Sequence, residues 1–305
     1  MTIAIARKFG KRITILSDTM ISDISTGKIN SIPGRLKAII LSPYVSVAYA
    51  GHAEPALRAI RRAREALVAT GEASSTTEIL VEASADPDTD VEFILALHKD
   101  GLSFVHKITA RGITGDLSEC FIGDADIVRQ VLANEPKYPG HENPEWGIQA
   151  GESRFSGAFT ALFSGTTVNK SVGGFPISLL GSPYGHTYQG SAFSSAWDTV
   201  RGDIGITAAQ HQSQRTGATA WQWNIVNAPL RGVALLGVAL PQAGLGLIYS
   251  PLTHEDAQVI RLEIPDGPGF IDSVPLQSAV RTRLQQLATV IGGGVVELDV
   301  PEENA

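Results

Sequence analysis

Cysteine is nearly absent from this 305-residue chain, in which Cys120 stands alone. One thiol cannot build an intrachain disulfide framework, and its isolation fits a reducing compartment. Long apolar runs are missing too. No stretch of 18 consecutive apolar residues occurs, and residues 1–18 lack the uninterrupted apolar segment of a signal peptide. The expectation is a cytoplasmic chain without a membrane span. Positive charge is in short supply: 24 Lys and Arg stand against 31 Asp and Glu, a net charge of −7. That balance argues against nucleic acid or an anionic membrane as the main partner. Familiar catalytic and metal-binding signatures are absent as well, including G-x-S-x-G, the P-loop and H-E-x-x-H. His98 and His106 fall on the two strands of one expected hairpin, yet no Cys or carboxylate completes a zinc set beside them. The polar surroundings of His186 and His211 carry no signal. Cys120, next to Phe121 and Ile122, reads as a buried structural residue.

What is present is an apolar content of 43%, enough for a sizeable core at this length, with 31 Gly and 16 Pro to make many turns. Short β-branched runs at 2–6 and 13–16 flank Gly10 and read as a hairpin. A polar loop covers 19–33. Strands follow at 37–41 and 45–50, turned at Ser42-Pro43. Apolar residues Ala56, Ile60, Ala63 and Leu67 recur at spacings of three and four and predict a helix over 53–69. Its arginines, Arg58, Arg61, Arg62 and Arg64, lie mostly off that stripe and read as a solvated face. A second helix is expected over 75–83, a hairpin over 91–97 and 102–108, and a short strand at 120–122. Helices are expected from Gly123 to about 132 and over 155–163, with a strand at 174–180 between them and the rest. Residues 198–219 read as a long loop. A hairpin over 232–240 and 245–249, a strand at 257–262 and a helix over 276–291 complete the pattern. Strand pairs separated by helix pairs are not the βα alternation of a parallel sheet. They predict an α+β chain with two antiparallel sheets and helices outside them.

The opening hairpin carries a chemical possibility. Its second strand ends in Ser17-Asp18, and an antiparallel partner would bring Asp18 close to Thr2. Once Met1 is removed, Thr2 bears a hydroxyl and a free amine on one residue. A terminal amine titrates near neutrality and can act as the base for its own hydroxyl. A nearby lysine would lower the amine's pKa, and a carboxylate would orient that lysine. A main-chain N–H at a glycine could hold the oxyanion, and a helix N-terminus there would favour the developing charge. Lys37 at the start of the third strand and Gly51 at the end of the fourth supply these types.

The segment Thr2…Ser17-Asp18…Gly34-Arg35-Leu36-Lys37…Tyr49-Ala50-Gly51-His52-Ala53 resembles the proteasome β-subunit and bacterial HslV-type peptidases, which are N-terminal-nucleophile hydrolases. The Thr2-to-Asp18 and Lys37-to-Gly51 intervals match that family, while the interval from Asp18 to Lys37 is a few residues longer. The resemblance implies Thr2 as nucleophile and amine base, Asp18 and Lys37 as the proton-network pair, and Gly51 as oxyanion donor. Tyr49 would line the pocket for the substrate side chain. Ile122-Gly123-Asp124-Ala125 stands where the family has a Gly-Ser-Gly turn, so Asp124 takes the place of a helping serine. Asn169 is nearest to a position where the family has Asp.

The likeness covers roughly residues 2–180 and implies a four-layer αββα sandwich in which 1–180 form the core. Residues 181–305 would be a C-terminal extension packed into the same domain. It implies amide or peptide hydrolysis with no metal or organic cofactor, and a homo-oligomer, with a ring as one form. An ATPase partner is left open. Two other readings remain: a catalytically silent scaffold or assembly subunit of the same fold, which the Asp124 and Asn169 departures favour, and an amidase acting on a small-molecule amide.

Overall fold

The computed structural model describes residues 3–22, 29–30, 33–142, 149–164, 172–189, 192–195, 218–227, 233–240, 245–253, 256–261 and 273–292. Strands β1 (Ile3–Phe9) and β2 (Arg12–Ser17) form the expected opening hairpin. The polar loop after it holds two short paired strands, β3 (Ile21–Ser22) and β4 (Ile29–Asn30). A second hairpin, β5 (Ala38–Ser42) and β6 (Val45–Gly51), runs into helices α1 (Ala53–Thr70) and α2 (Ala73–Ala85). Strands β7 (Val91–Lys99), β8 (Leu102–Thr109), β9 (Gly112–Thr114) and β10 (Glu119–Gly123) follow. Helix α3 (Ala125–Asn134) continues into a 3-10 turn, and α4 spans Ala150–Ser164. The later part carries β11 (Ile177–Ser182), β12 (Gly185–Tyr188), β13 (Ala192–Ser195) and β14 (Ala218–Asn227). It closes with β15 (Val233–Leu240), β16 (Leu245–Tyr249), β17 (Gln258–Arg261) and α5 (Ser273–Gly292).

The chain is α+β, and its paired strands among the described residues run antiparallel. Three five-stranded sheets have the orders β10-β1-β2-β11-β12, β5-β6-β7-β8-β9 and β13-β14-β15-β16-β17. Successive side chains of a strand face opposite ways, so the period-2 alternation sorts each strand between two cores. Ala4, Ala6, Ile13 and Ile15 of the first sheet and Ala38, Ile40, Ala48, Ala50, Ile94 and Ala96 of the second share one core. Ile3, Ile5 and Leu16 face the other way, against α3 and α4. Val45, Val47, Tyr49, Phe93 and Leu95 face α1 and α2, whose buried stripe includes Ala56, Ile60, Ala63 and Leu67. The third sheet joins the shared core through Leu236, Val238, Leu240, Leu245, Leu247 and Tyr249. Its other face is covered by α5. A Cβ on Gly237 would lie 2.5 Å from Leu284, and one on Gly246 would lie 2.4 Å from Val280. The two glycines are what lets α5 sit so close.

The departures from the sequence reading have physical causes. Strand β9 has too few residues to show a period, and β12 is a four-residue polar-looking strand in a Gly-rich stretch. Its pairing comes from β11, not from its own pattern. The expected loop over 198–219 overlaps β14 at residues 218–219, and its remainder lies outside the described residues. No helix among the described residues is long and apolar enough to cross a membrane.

His98 and His106 could face each other across their hairpin, but the register sets His98 opposite Ser103, and His98 meets His186 on β12. His186 Nε2 lies 2.8 Å from His98 Nδ1, His186 Nδ1 lies 2.6 Å from Ser46 Oγ, and His98 Nε2 lies 2.7 Å from the Lys11 carbonyl. The carbonyl can only accept, so it fixes every proton in the chain. His98 donates to Lys11, His186 donates to His98, and Ser46 donates to His186. These buried bonds tie the hairpin tips of the two facing sheets together at one end of the molecule. Burial, with a smaller contribution from His98, holds His186 down at about 3, and burial also lowers His98. A base whose folded pKa is depressed gives stability that is lost as pH falls below its ordinary value of 6.5. Between pH 6.5 and about 3 we expect His186 to cost up to about 1.4 kcal/mol per pH unit. Urea unfolding from pH 7.5 to 4 should show a steeper loss in the wild type than in His186→Gln. Equal slopes would rule out this contribution.

Candidate functional site

The opposite end of the two facing sheets holds a buried ion pair. Ser17, the last residue of β2, pairs with Ala4 on one side and Ile177 on the other, so Asp18 emerges between β1 and β11. Asp18 Oδ1 accepts from the Ile3 N–H at 3.3 Å, while the Asp18 N–H donates to the Ile3 carbonyl at 3.4 Å. Asp18 Oδ2 accepts from the Gly173 N–H at 3.4 Å. Lys37 Nζ donates to Asp18 Oδ1 at 2.6 Å and also to the Met20 carbonyl. Asp18 is 0% and Lys37 1% exposed.

Three segments distant in sequence are stitched here. The Thr19 and Met20 N–H groups both donate to the Gly173 carbonyl, and Thr19 Oγ1 accepts from the Phe175 N–H at 2.9 Å. The Thr19 carbonyl accepts from the Arg35 N–H at 2.7 Å, two residues before Lys37. Burial pushes the Lys37 ammonium below the ordinary lysine range and the Asp18 carboxyl above the ordinary aspartate range. Each partner's charge works against that push on the other. A lysine of lowered pKa beside a carboxylate can hold or pass a proton, and the carboxylate oxygen that Lys37 contacts also accepts from the Ile3 N–H.

The other candidates fall at the same end in different roles. Tyr49 on β6 donates its N–H to the Lys37 carbonyl at 3.1 Å, and its side chain, 1% exposed, is packed with the apolar residues beneath α1. Gly51 ends β6 with φ +96°, opposite Val91. A Cβ there would lie 1.8 Å from the Asp90 carbonyl oxygen, so glycine is required by local packing alone. Gly123 pairs with Ile3 across β10 and β1. Asp124 follows it and caps α3, its Oδ1 accepting from the Asp126 N–H at 2.9 Å and the Ile127 N–H at 3.3 Å. Thr2 and Asn169 lie outside the described residues.

Sequence reasoning missed the acceptors and donors supplied by the main chain, namely Gly173 N–H and the Met20 carbonyl. A main-chain contact leaves no side-chain signature. It also missed Glu92, whose Oε2 accepts from the Gly123 N–H at 3.5 Å and so spans the two sheets beside β1. Glu92 and Asp90 line an open cleft with Lys107 and Arg111. Among the described residues no group of three or more His, Cys, Asp or Glu side chains is arranged to hold a metal. No protein-family model matches the sequence, and no curated protein matches it.

Two measurements check this geometry. Asp18→Ala leaves the Lys37 charge buried with one carbonyl partner and should cost about 3–5 kcal/mol. The double variant Asp18→Leu/Lys37→Met should cost less than the sum of its single changes in urea unfolding, and simple additivity would refute coupling of the pair. Gly51→Ala should lower the thermal midpoint even in a chain that performs no chemistry, because strain at positive φ alone costs about 1–3 kcal/mol.

Proposed function

We propose that the chain is an N-terminal threonine hydrolase of the proteasome-like kind, cleaving an amide or peptide bond with Thr2 after removal of Met1. The observation that carries this reading is the fully buried Asp18–Lys37 pair hydrogen-bonded to the main chain of Ile3, the residue that follows Thr2. A buried pair of ionisable groups is costly to the fold, and one bonded to the residue that follows Thr2 supports a proton network serving that nucleophile. The fold we infer is the four-layer αββα sandwich of N-terminal-nucleophile hydrolases, in keeping with helices on the outer faces of two antiparallel sheets that share a core.

In this mechanism the Thr2 amine takes the proton from Oγ as the oxygen attacks the substrate carbonyl. Lys37, charged and close, keeps the amine neutral and ready to accept, while Asp18 holds the lysine. The Gly51 N–H steadies the oxyanion, the amine returns its proton to the leaving nitrogen, and water then hydrolyses the acyl-enzyme. The chemistry calls for no metal or organic cofactor. Assembly into a homo-oligomer, a ring among the options, and residence in the cytoplasm belong to the same proposal.

A silent scaffold of the same fold is the second reading. It is favoured by Asp124, whose carboxylate caps α3 where a helping serine is expected, and by Gly51, which packing requires whatever the chemistry. Intact mass of the purified protein separates these readings. Loss of Met1 and a covalent β-lactone or epoxyketone adduct on Thr2, abolished in Thr2→Ala, is the expected result. Retained Met1 would eliminate the mechanism, and a free Thr2 that takes no adduct would leave the scaffold.

A further inference from the structure

The stretch that carries Lys37 is fastened from beyond residue 180. Lys37 directly precedes β5, the edge strand of its sheet, so one side of that main chain lacks a strand partner among the described residues. Tyr188, on β12 of the facing sheet, donates its hydroxyl to the Ala38 carbonyl at 2.9 Å and is also hydrogen-bonded by the Ile40 main chain. Tyr249, the last residue of β16, donates its hydroxyl to the Pro33 carbonyl. Both rings belong to the shared core, 1% and 2% exposed. Burial pushes both phenols far above the ordinary tyrosine range, so each remains a neutral donor across the working pH of a protein. Between them, the Arg35 N–H is held by the Thr19 carbonyl. The segment thus has a carbonyl gripped by a tyrosine at each end, with Lys37 set against Asp18 inside the grip.

We propose that Tyr188 and Tyr249 are positioning residues for Lys37, which makes the region after residue 180 a working part of the candidate site. The inference rests on the proposed hydrolase for its catalytic meaning only. A lysine stem has four rotatable bonds, so a 2.6 Å contact to one carboxylate oxygen depends on a main chain that does not shift. A tyrosine ring locked in a core is a rigid strut with few torsions to freeze. Removing either hydroxyl leaves a carbonyl that must find water instead. Water admitted beside Lys37 relieves the desolvation that lowers its pKa.

Tyr188→Phe and Tyr249→Phe in the full chain test this, with Thr76→Ala for comparison. Thr76 is a buried hydroxyl that donates to the Ala63 carbonyl, on the helical side of the β5–β9 sheet. The Lys37 ammonium is titrated by NMR through its side-chain carbon signals. In each Phe variant the Lys37 midpoint should rise toward the ordinary lysine value by about one pH unit, and in Thr76→Ala it should stay put. Hydrolysis should lose about tenfold in kcat with KM near that of the wild type, its pH profile moving with Lys37. An unmoved Lys37 in both Phe variants overturns the positioning role. So does failure of both to fold while Thr76→Ala folds, because the hydroxyls would then be structural supports alone. A wild-type chain without hydrolysis overturns the hydrolase reading by itself, and the Lys37 titration still decides this one.

Discussion

Placing a lysine and an aspartate in a dry interior is the constraint on which much of this architecture turns. Neither charge can be tolerated without the other, and neither can be left short of hydrogen bonds. Asp18 therefore draws a donor from the first strand, from Gly173 and from Lys37, and Lys37 draws a second acceptor from Met20. Meeting those demands requires the stretches around Asp18 and Lys37 to converge on one point with the stretch at Gly173, which lies 155 residues from Asp18 in sequence. The converging backbone is closed in turn by Thr19, through its carbonyl, its hydroxyl and its N–H.

Around that point the sheets are arranged by simple alternation. Strands such as β1, β2, β5, β6 and β7 give one face to the shared core and one to a helical layer, so a one-residue slip would turn Asp18 or Lys37 away from its partner as well as exposing apolar residues. The two ends of the facing sheets differ in chemistry. One end buries opposite charges that hold each other. The other buries two neutral histidines aligned by the Lys11 carbonyl. Acid therefore acts on the two ends differently, since burial resists protonation of the imidazoles at one end and favours the neutral carboxyl of Asp18 at the other.

Much of the fold was legible because it depends on local periodicity. Ala56, Ile60, Ala63 and Leu67 mark α1, and the alternation through Ile13 and Ile15 marks β2, without reference to anything distant. The site was legible to the extent that it consists of charged side chains at strand ends, which is why Asp18 and Lys37 stand out. It was illegible where main-chain groups do the work, as at Gly173 and Met20, and where partners come from far along the chain. His98 shares a hairpin with His106, but the side chain it meets is 88 residues away. The short β12 escaped for the same reason, since its conformation is imposed by β11. Gly51 shows the converse: its glycine is readable, but the sequence does not reveal that the Asp90 carbonyl demands it.

Cys120 also has a bearing on how the chain can be studied. It sits in the shared core, 6% exposed, and burial pushes its thiol up to about 12. A thiol held protonated and out of solvent reacts slowly with alkylating reagents. The protein thus has a silent sulfur background, and a cysteine introduced on its surface or in place of Thr2 would be the one reactive sulfur in the chain. A single fluorophore, crosslinker or mass tag could then report on any chosen position without first redesigning the core.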